Sequence, residues 1–137
     1  MESNRCLNVE GASFDNGVQV IQWDCVDTPN NHWRFENVEG HPDYFRVRAG
    51  NSDKCLNVEG GSLMNGARVI QWPCSNSNNE NWRAVNYVDS NKFMLQAEHS
   101  GKCLNVEGAS HENGARLIQW DCADTNNNRW TQQSWNP

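Results

Sequence analysis

Apolar residues in this chain come in short runs broken by Gly, Asn, Asp and Ser, and no stretch keeps a helical period, which is the pattern of an all-β domain. Leu7 and Val9 alternate with Asn8 and Glu10, and the alternation returns at Leu56, Asn57, Val58, Glu59 and at Leu104, Asn105, Val106, Glu107. The apolar pair therefore faces one way and the Asn and Glu the other. An Asn-Gly pair follows each time, at Asn16-Gly17, Asn65-Gly66 and Asn113-Gly114, supplying the positive φ of a tight hairpin turn. The next strand runs to an Ile-Gln-Trp triplet ending at Trp23, Trp72 and Trp120. Its inward face stays open, because Val20 beside Ile21 is also apolar. A later strand starts near Trp33, Trp82 and Trp130 and carries Val38, Tyr87 and Trp135 at its far end.

One further strand, Phe45, Val47 and Ala49, is matched by Phe93, Leu95 and Ala97, each set preceding one copy of the pattern. The first copy has no counterpart. The strand count is thus eleven, where a closed threefold barrel requires twelve, and the missing strand predicts an open seam with unpaired backbone groups. Either residues upstream of Met1 fill that seam, or a segment of a second copy does, with Trp135 as the plug and self-association as the consequence.

The six cysteines make the repeat explicit. Cys6 and Cys25, Cys55 and Cys74, and Cys103 and Cys122 are each nineteen positions apart, and the copies succeed one another every 48 or 49 residues. Cys6 to Cys25 reads CLNVEGASFDNGVQVIQWDC, Cys55 to Cys74 CLNVEGGSLMNGARVIQWPC, and Cys103 to Cys122 CLNVEGASHENGARLIQWDC; thirteen of the twenty positions agree in all three. A zinc site would need short Cys spacings, and His32, His41, His99 and His111 fall at unrelated positions, so no metal is predicted. One disulfide per repeat is the reading, each closing a loop worth roughly 3 kcal/mol in the chain-entropy model. Six reduced thiols in a cytosolic protein are the alternative. Paired cysteines imply an oxidising compartment, and Met1 to Arg5 offer no apolar stretch as a leader, so the expectation is a shortened chain of a secreted or extracellular protein.

At 137 residues the chain is expected to form one domain, with repeats at approximately 1–41, 42–90 and 91–137. Eleven basic against seventeen acidic residues give a net charge of −6, the wrong sign for nucleic acid or an anionic leaflet. No window approaches the roughly 20 apolar residues of a membrane span. Seven Trp and six Cys in so polar a chain argue against disorder.

Three four-strand repeats, each opening Cys-Leu-x-Val and carrying Gln-Trp-x-Cys with a Trp eight residues later, resemble the ricin B-chain-type β-trefoil lectins and the related carbohydrate-binding modules appended to bacterial glycoside hydrolases. The resemblance covers nearly the whole chain and implies a β-trefoil, six strands in a barrel and six capping it as hairpins, with one shallow sugar pocket available per repeat. It also implies the pocket residues: Asn8, Trp23 and Asn30 in the first repeat, Asn57, Trp72 and Asn79 in the second, and Asn105, Trp120 and Asn127 in the third. An aromatic face suits the C–H side of a pyranose, and amides both donate to and accept from hydroxyls. The chain departs from the family pattern twice. Asn stands in all three copies where the family has Asp, removing a charge-assisted bond; Glu10, Glu59 and Glu107, two residues on and on the same face, are candidates to supply the carboxylate. The family's Gln-x-Trp appears as Asn31-His32-Trp33, Glu80-Asn81-Trp82 and Asn128-Arg129-Trp130.

Plainer roles stand beside these. The Asn8 set can cap a turn through its amide, and the Trp23 set can be rim or core. Trp33, Trp82 and Trp130 read as core, and Gln22, Gln71 and Gln119 as backbone partners near the barrel axis. Catalysis needs an asymmetric set of groups, whereas this sequence offers three near-copies of one set, with no triad and no phosphate loop. A glycosidase would need carboxylates roughly 5 to 9.5 Å apart, and the repeated pair Glu10 and Asp24 is broken by Pro73 in the second copy. Triplication suits avidity for a repetitive ligand. The expectation is a non-enzymatic lectin or carbohydrate-binding module for galactose-type or related neutral saccharides, without cofactor, whose parent protein can carry a catalytic or toxin domain. The alternative is a protein-interaction or inhibitor domain that has lost sugar binding.

Overall fold

The computed structural model describes residues 5–89, 92–123 and 125–131. Among them, eleven strands follow in order: β1 (Arg5–Val9), β2 (Val20–Asp24), β3 (Trp33–Val38), β4 (His41–Ala49), β5 (Cys55–Val58), β6 (Val69–Trp72), β7 (Trp82–Asp89), β8 (Lys92–Ala97), β9 (Cys103–Val106), β10 (Leu117–Trp120) and β11 (Trp130–Thr131). Short 3-10 turns join several of them, and no described residue is in an α-helix. The period-two runs around Val47 and Leu95 became β4 and β8. Tyr87 lies in β7, while Trp135 falls outside the described residues.

Two kinds of pairing organise the chain. β3, β4, β7, β8 and β11 lie side by side in that order, all antiparallel. The hairpins β1–β2, β5–β6 and β9–β10 form a cap, meeting through bridges of Gln19 with Ile70, Arg68 with Ile118 and Ile21 with Arg116. This is the pseudo-threefold β-trefoil that the family resemblance implies. Each cap hairpin is tied at one end by a disulfide, Cys6–Cys25, Cys55–Cys74 and Cys103–Cys122.

The core lies between cap and barrel. Val20, Val69 and Leu117 join Val47, Leu56, Val58, Trp82, Leu95, Leu104, Val106 and Trp130 in one buried cluster. Ile21, Ile70 and Ile118 are buried outside that cluster. Adjacent Val and Ile on one strand are therefore both covered, each from its own side, and the open question about the inward face resolves without a bulge. The later tryptophans hold cap to barrel: the indole N–H groups of Trp33, Trp82 and Trp130 donate to the carbonyls of Leu7 (3.0 Å), Leu56 (3.0 Å) and Leu104 (3.2 Å). A buried indole finds a polar partner this way.

Repeat one differs from its siblings where the extra strand is missing. β5 pairs with β4 through Arg48 opposite Cys55, and β9 with β8 through Gln96 opposite Cys103. Among the described residues β1 has no such neighbour, and β3 pairs with β4 alone. Cys6, Leu7 and Trp33 are half-buried, whereas Cys55, Leu56, Trp82 and Cys103, Leu104, Trp130 are buried.

The Asn-Gly pairs do not make two-residue hairpins. Strands β1 and β2 end at Val9 and Val20, and the pair is one turn of the longer loop between them. Gly17, Gly66 and Gly114 do have positive φ (83°, 90° and 91°). Their N–H groups leave their own hairpin and donate to the carbonyls of Gln71, Gln119 and Gln22 in a neighbouring repeat, each at 2.9 Å.

Candidate functional site

Cross-strand register decides which side chains share a surface, because directly opposite residues point to the same face. In the first hairpin Cys6 stands opposite Trp23 and Asn8 opposite Ile21. The Glu10 N–H donates to the Gln19 carbonyl at 3.3 Å, which places these two opposite each other at the far end. Glu10, Asn8 and Trp23 therefore lie on one face of the hairpin. The same register puts Glu59, Asn57 and Trp72 together, and Glu107, Asn105 and Trp120.

The three tryptophans are open to solvent, at 42% for Trp23, 45% for Trp72 and 46% for Trp120. Large aromatics left half in water three times over in symmetry-related places are the most conspicuous feature of this surface. Each ring edge rests against the Gly of a neighbouring Asn-Gly turn: a Cβ added there would lie 3.8 Å from Cζ3 of Trp72 at Gly17, 3.9 Å from Trp120 at Gly66 and 3.9 Å from Trp23 at Gly114.

The asparagines beside them are buried and oriented. Nδ2 of Asn8 donates to Oδ1 of Asn31 (2.6 Å), that of Asn57 to Oε2 of Glu80 (3.0 Å), and that of Asn105 to Oδ1 of Asn128 (2.6 Å). A carboxylate only accepts, so the Asn57 amide has its nitrogen turned toward Glu80 and its oxygen away. Threefold repetition extends that orientation to Asn8 and Asn105. The partners are fixed in turn. Nδ2 of Asn31 and Asn128 reaches the carbonyls of Val26 (3.0 Å) and Ala123 (2.9 Å), while Oε1 of Glu80 accepts from the N–H of Ser75 (2.7 Å) and from its hydroxyl (3.1 Å).

The second amide set packs on the same strand end. Nδ2 of Asn30, Asn79 and Asn127 donates to the carbonyls of Val9 (3.1 Å), Val58 (2.9 Å) and Val106 (3.2 Å). Thr28 and Thr125 donate to the amide oxygens of Asn30 and Asn127, both at 2.8 Å. Asn8 thus comes together with Asn30 and Asn31 of the turn Pro29–Asn31.

The glutamates are engaged across the mouth of each hairpin. Glu10 accepts from Nε2 of Gln19 (3.0 Å). Glu107 holds a two-pronged pair with Arg116 (2.8 Å and 2.8 Å), and Glu59 pairs with Arg68 in the same way. Hydrogen bonds from these guanidiniums hold the Glu59 and Glu107 carboxyls below the usual carboxylate range.

Residues outside the candidate set complete the arrangement. Gln22, Gln71 and Gln119 are fully buried, and each Nε2 donates to two backbone carbonyls of a neighbouring loop. Asp24 accepts from Asn113 (3.0 Å) and Arg5 (2.6 Å), and Asp121 from Asn65 (3.1 Å); Pro73 occupies the corresponding place in repeat two. Asn31, Glu80 and Asn128, which orient the Asn8 set, are absent from the residues that the resemblance implies. The constant separation of 23 between the partners was the available signal. No group of three or more His, Cys, Asp or Glu among the described residues could hold a metal ion, and no helix among them is long and apolar enough to cross a membrane.

The ricin-type beta-trefoil lectin domain-like family matches the chain at residues 1–72, 29–120 and 78–136. No curated protein matches it. Among solved structures, the designed threefold-symmetric protein ThreeFoil is similar at 37% identity and a TM-score of 0.89, covering 94% of this chain and 90% of its own. The exo-β-1,3-galactanase 1,3Gal43A from Clostridium thermocellum is similar at 27% identity and 0.88, covering 94% of this chain but only 27% of the galactanase. A Polyporus squamosus lectin shares the fold at 20% identity and 0.76, covering 93% of this chain and 44% of the lectin. With family matches that together run from residue 1 to residue 136, the chain belongs to the ricin-type β-trefoil lectin-like family.

Proposed function

We propose that this protein is a non-enzymatic carbohydrate-binding module with up to three shallow sites for galactose-type or related neutral saccharides. One observation carries the reading: three times over, a solvent-open tryptophan shares a hairpin face with an asparagine whose amide is locked by a buried partner. The indole offers its face to the C–H side of a pyranose. With Nδ2 engaged, Oδ1 of Asn8, Asn57 and Asn105 is the acceptor left for a sugar hydroxyl, so asparagine keeps one of the two acceptors that the family's aspartate has and loses its charge. Asn30, Asn79 and Asn127 and the glutamates border the same face. The galactanase and the lectin, the latter bound to Neu5Acα2-6Galβ1-4GlcNAc, support a galactose-containing ligand. Recurrence of one set of groups supports binding rather than catalysis, and three sites on one rigid body support multivalent use. The disulfides support an extracellular setting, and the longer neighbours support attachment to a larger parent protein.

Calorimetric titration with methyl β-D-galactopyranoside and lactose tests this. Trp23→Ala, Trp72→Ala and Trp120→Ala each remove one site with the circular dichroism spectrum unchanged, and the triple variant binds neither sugar. A triple variant that binds as well as the parent overturns the assignment and leaves a protein-interaction domain as the better reading.

A further inference from the structure

Within the repeated segment, two consecutive positions differ in all three copies while the residues on both sides do not: Ser13-Phe14-Asp15-Asn16, Ser62-Leu63-Met64-Asn65 and Ser110-His111-Glu112-Asn113. The backbone of this tip is held alike each time. The serine Oγ accepts from the N–H two residues on, that of Asp15 (3.0 Å), Met64 (3.1 Å) and Glu112 (3.0 Å). From the other side, Nε2 of Gln71 donates to the carbonyls of Ser13 and Asp15, Gln119 to those of Ser62 and Met64, and Gln22 to those of Ser110 and Glu112. Each of these glutamines immediately precedes an exposed tryptophan on its strand. The tips are therefore fixed beside the tryptophan of another repeat, Phe14-Asp15 beside Trp72, Leu63-Met64 beside Trp120 and His111-Glu112 beside Trp23, and the Gly contacts to the ring edges place them there independently.

One fixed frame carrying different side chains gives the three tryptophans different borders. Beside Trp120, Leu63 and Met64 are 62% and 72% exposed, so three large apolar side chains stand in water at one place, a patch that marks a contact surface. Beside Trp23 the same positions carry an imidazole and a carboxylate.

We propose that each tip is a specificity wall for the sugar site of the neighbouring repeat, and that the Trp120 site, walled by Leu63 and Met64, selects saccharides bearing an alkyl, acyl or aryl substituent. The inference rests on Trp120 being a sugar platform. The substituent projects from the sugar across Gly66 onto the two side chains, leaving the pyranose on the indole.

Paired NMR titrations with methyl and phenyl β-D-galactopyranoside, following the indole N–H of Trp120 and the ε-methyl of Met64, decide it. The phenyl glycoside binds at Trp120 about fivefold more tightly than the methyl glycoside, the ratio for roughly 40 Å² of additional apolar surface removed from water, and it alone shifts Met64. Leu63→His with Met64→Glu, which transplants the tip of repeat three into an identical frame, erases that preference while methyl glycoside binding at Trp120 persists. The reciprocal His111→Leu with Glu112→Met confers it on Trp23. Equal affinities at Trp120 with Met64 unmoved overturn the wall alone. Silence of all three exposed indoles toward both glycosides overturns the sugar reading as well.

Discussion

Ala12 and Ala109 stand where repeat two has Gly61, and all three have positive φ, 54°, 52° and 62°. Each follows a glycine in the same region in a Glu-Gly-x-Ser turn closed by the serine N–H on the glutamate carbonyl. A side chain is strained there, by about 1 kcal/mol or somewhat more. Ala12→Gly and Ala109→Gly are each expected to raise the urea midpoint with m unchanged, and Gly61→Ala to lower it by a similar amount. A second residue-scale expectation concerns the Asn8 partners. Where Asn31 and Asn128 donate to a carbonyl, Glu80 can only accept, and Ser75, which replaces Val26 and Ala123, supplies the donors. The direction of the bond has been reversed by two coordinated changes. Glu80→Asn with Ser75→Val copies repeat one, and in a double-mutant cycle by denaturant unfolding it should cost about 1 kcal/mol less than the sum of the single changes. Additive costs would show that the pair is not coupled.

At the scale of elements, the charges across the hairpin mouths differ: Gln19 faces Glu10, but Arg68 and Arg116 face Glu59 and Glu107. The lowered Glu59 carboxyl means that this pair contributes fully above the ordinary carboxylate range and is lost only as pH falls through the depressed folded value. Both partners are substantially exposed, so the effect on stability is small. The sharper readout is the carboxyl itself: Arg68→Gln should return the Glu59 titration, followed by NMR, toward the ordinary range, and an unmoved midpoint would reject the guanidinium as its cause. Elements of this kind were legible in the sequence, since period-two runs such as Phe93, Leu95 and Ala97 and the even cysteine spacing each state their structure locally and are repeated. The orientation of Asn57 was not legible, because it depends on which atom of Glu80 it meets across 23 residues. Neither were the neighbours of Trp23, Trp72 and Trp120, because a comparison of copies with one another reveals which positions recur but not which copy packs against which.

For the whole molecule, the three cap junctions share one backbone design but not one set of side chains. At two of them an asparagine of the Asn-Gly turn clasps an aspartate next to the tryptophan of the following repeat, Asn113 with Asp24 and Asn65 with Asp121. The Asp121 N–H also donates back to Oδ1 of Asn65 (3.0 Å). The Asn65 amide holds the Asp121 carboxyl below the usual range. Between repeats one and two, Pro73 stands at the position of Asp24 and Asp121 and has neither the carboxylate nor the N–H. That junction keeps the bond from Gly17 to the Gln71 carbonyl and those from Gln71 to the loop carbonyls, but it lacks the side-chain clasp. Opening of the cap should therefore begin there, with the Gly17 amide exchanging with solvent faster than those of Gly66 and Gly114, three protons otherwise donated alike at 2.9 Å. Pro73→Asp supplies both missing groups. Two exposed hydrogen bonds, offset by the greater freedom of the unfolded chain once proline is gone, leave a net gain of up to about 1 kcal/mol. Gly17 exchange should slow toward that of its two counterparts, and Asp121→Pro should speed exchange at Gly66 alone. Equal exchange of the three glycines in the parent protein would mean that the backbone frame, not the clasp, sets how firmly the repeats are joined.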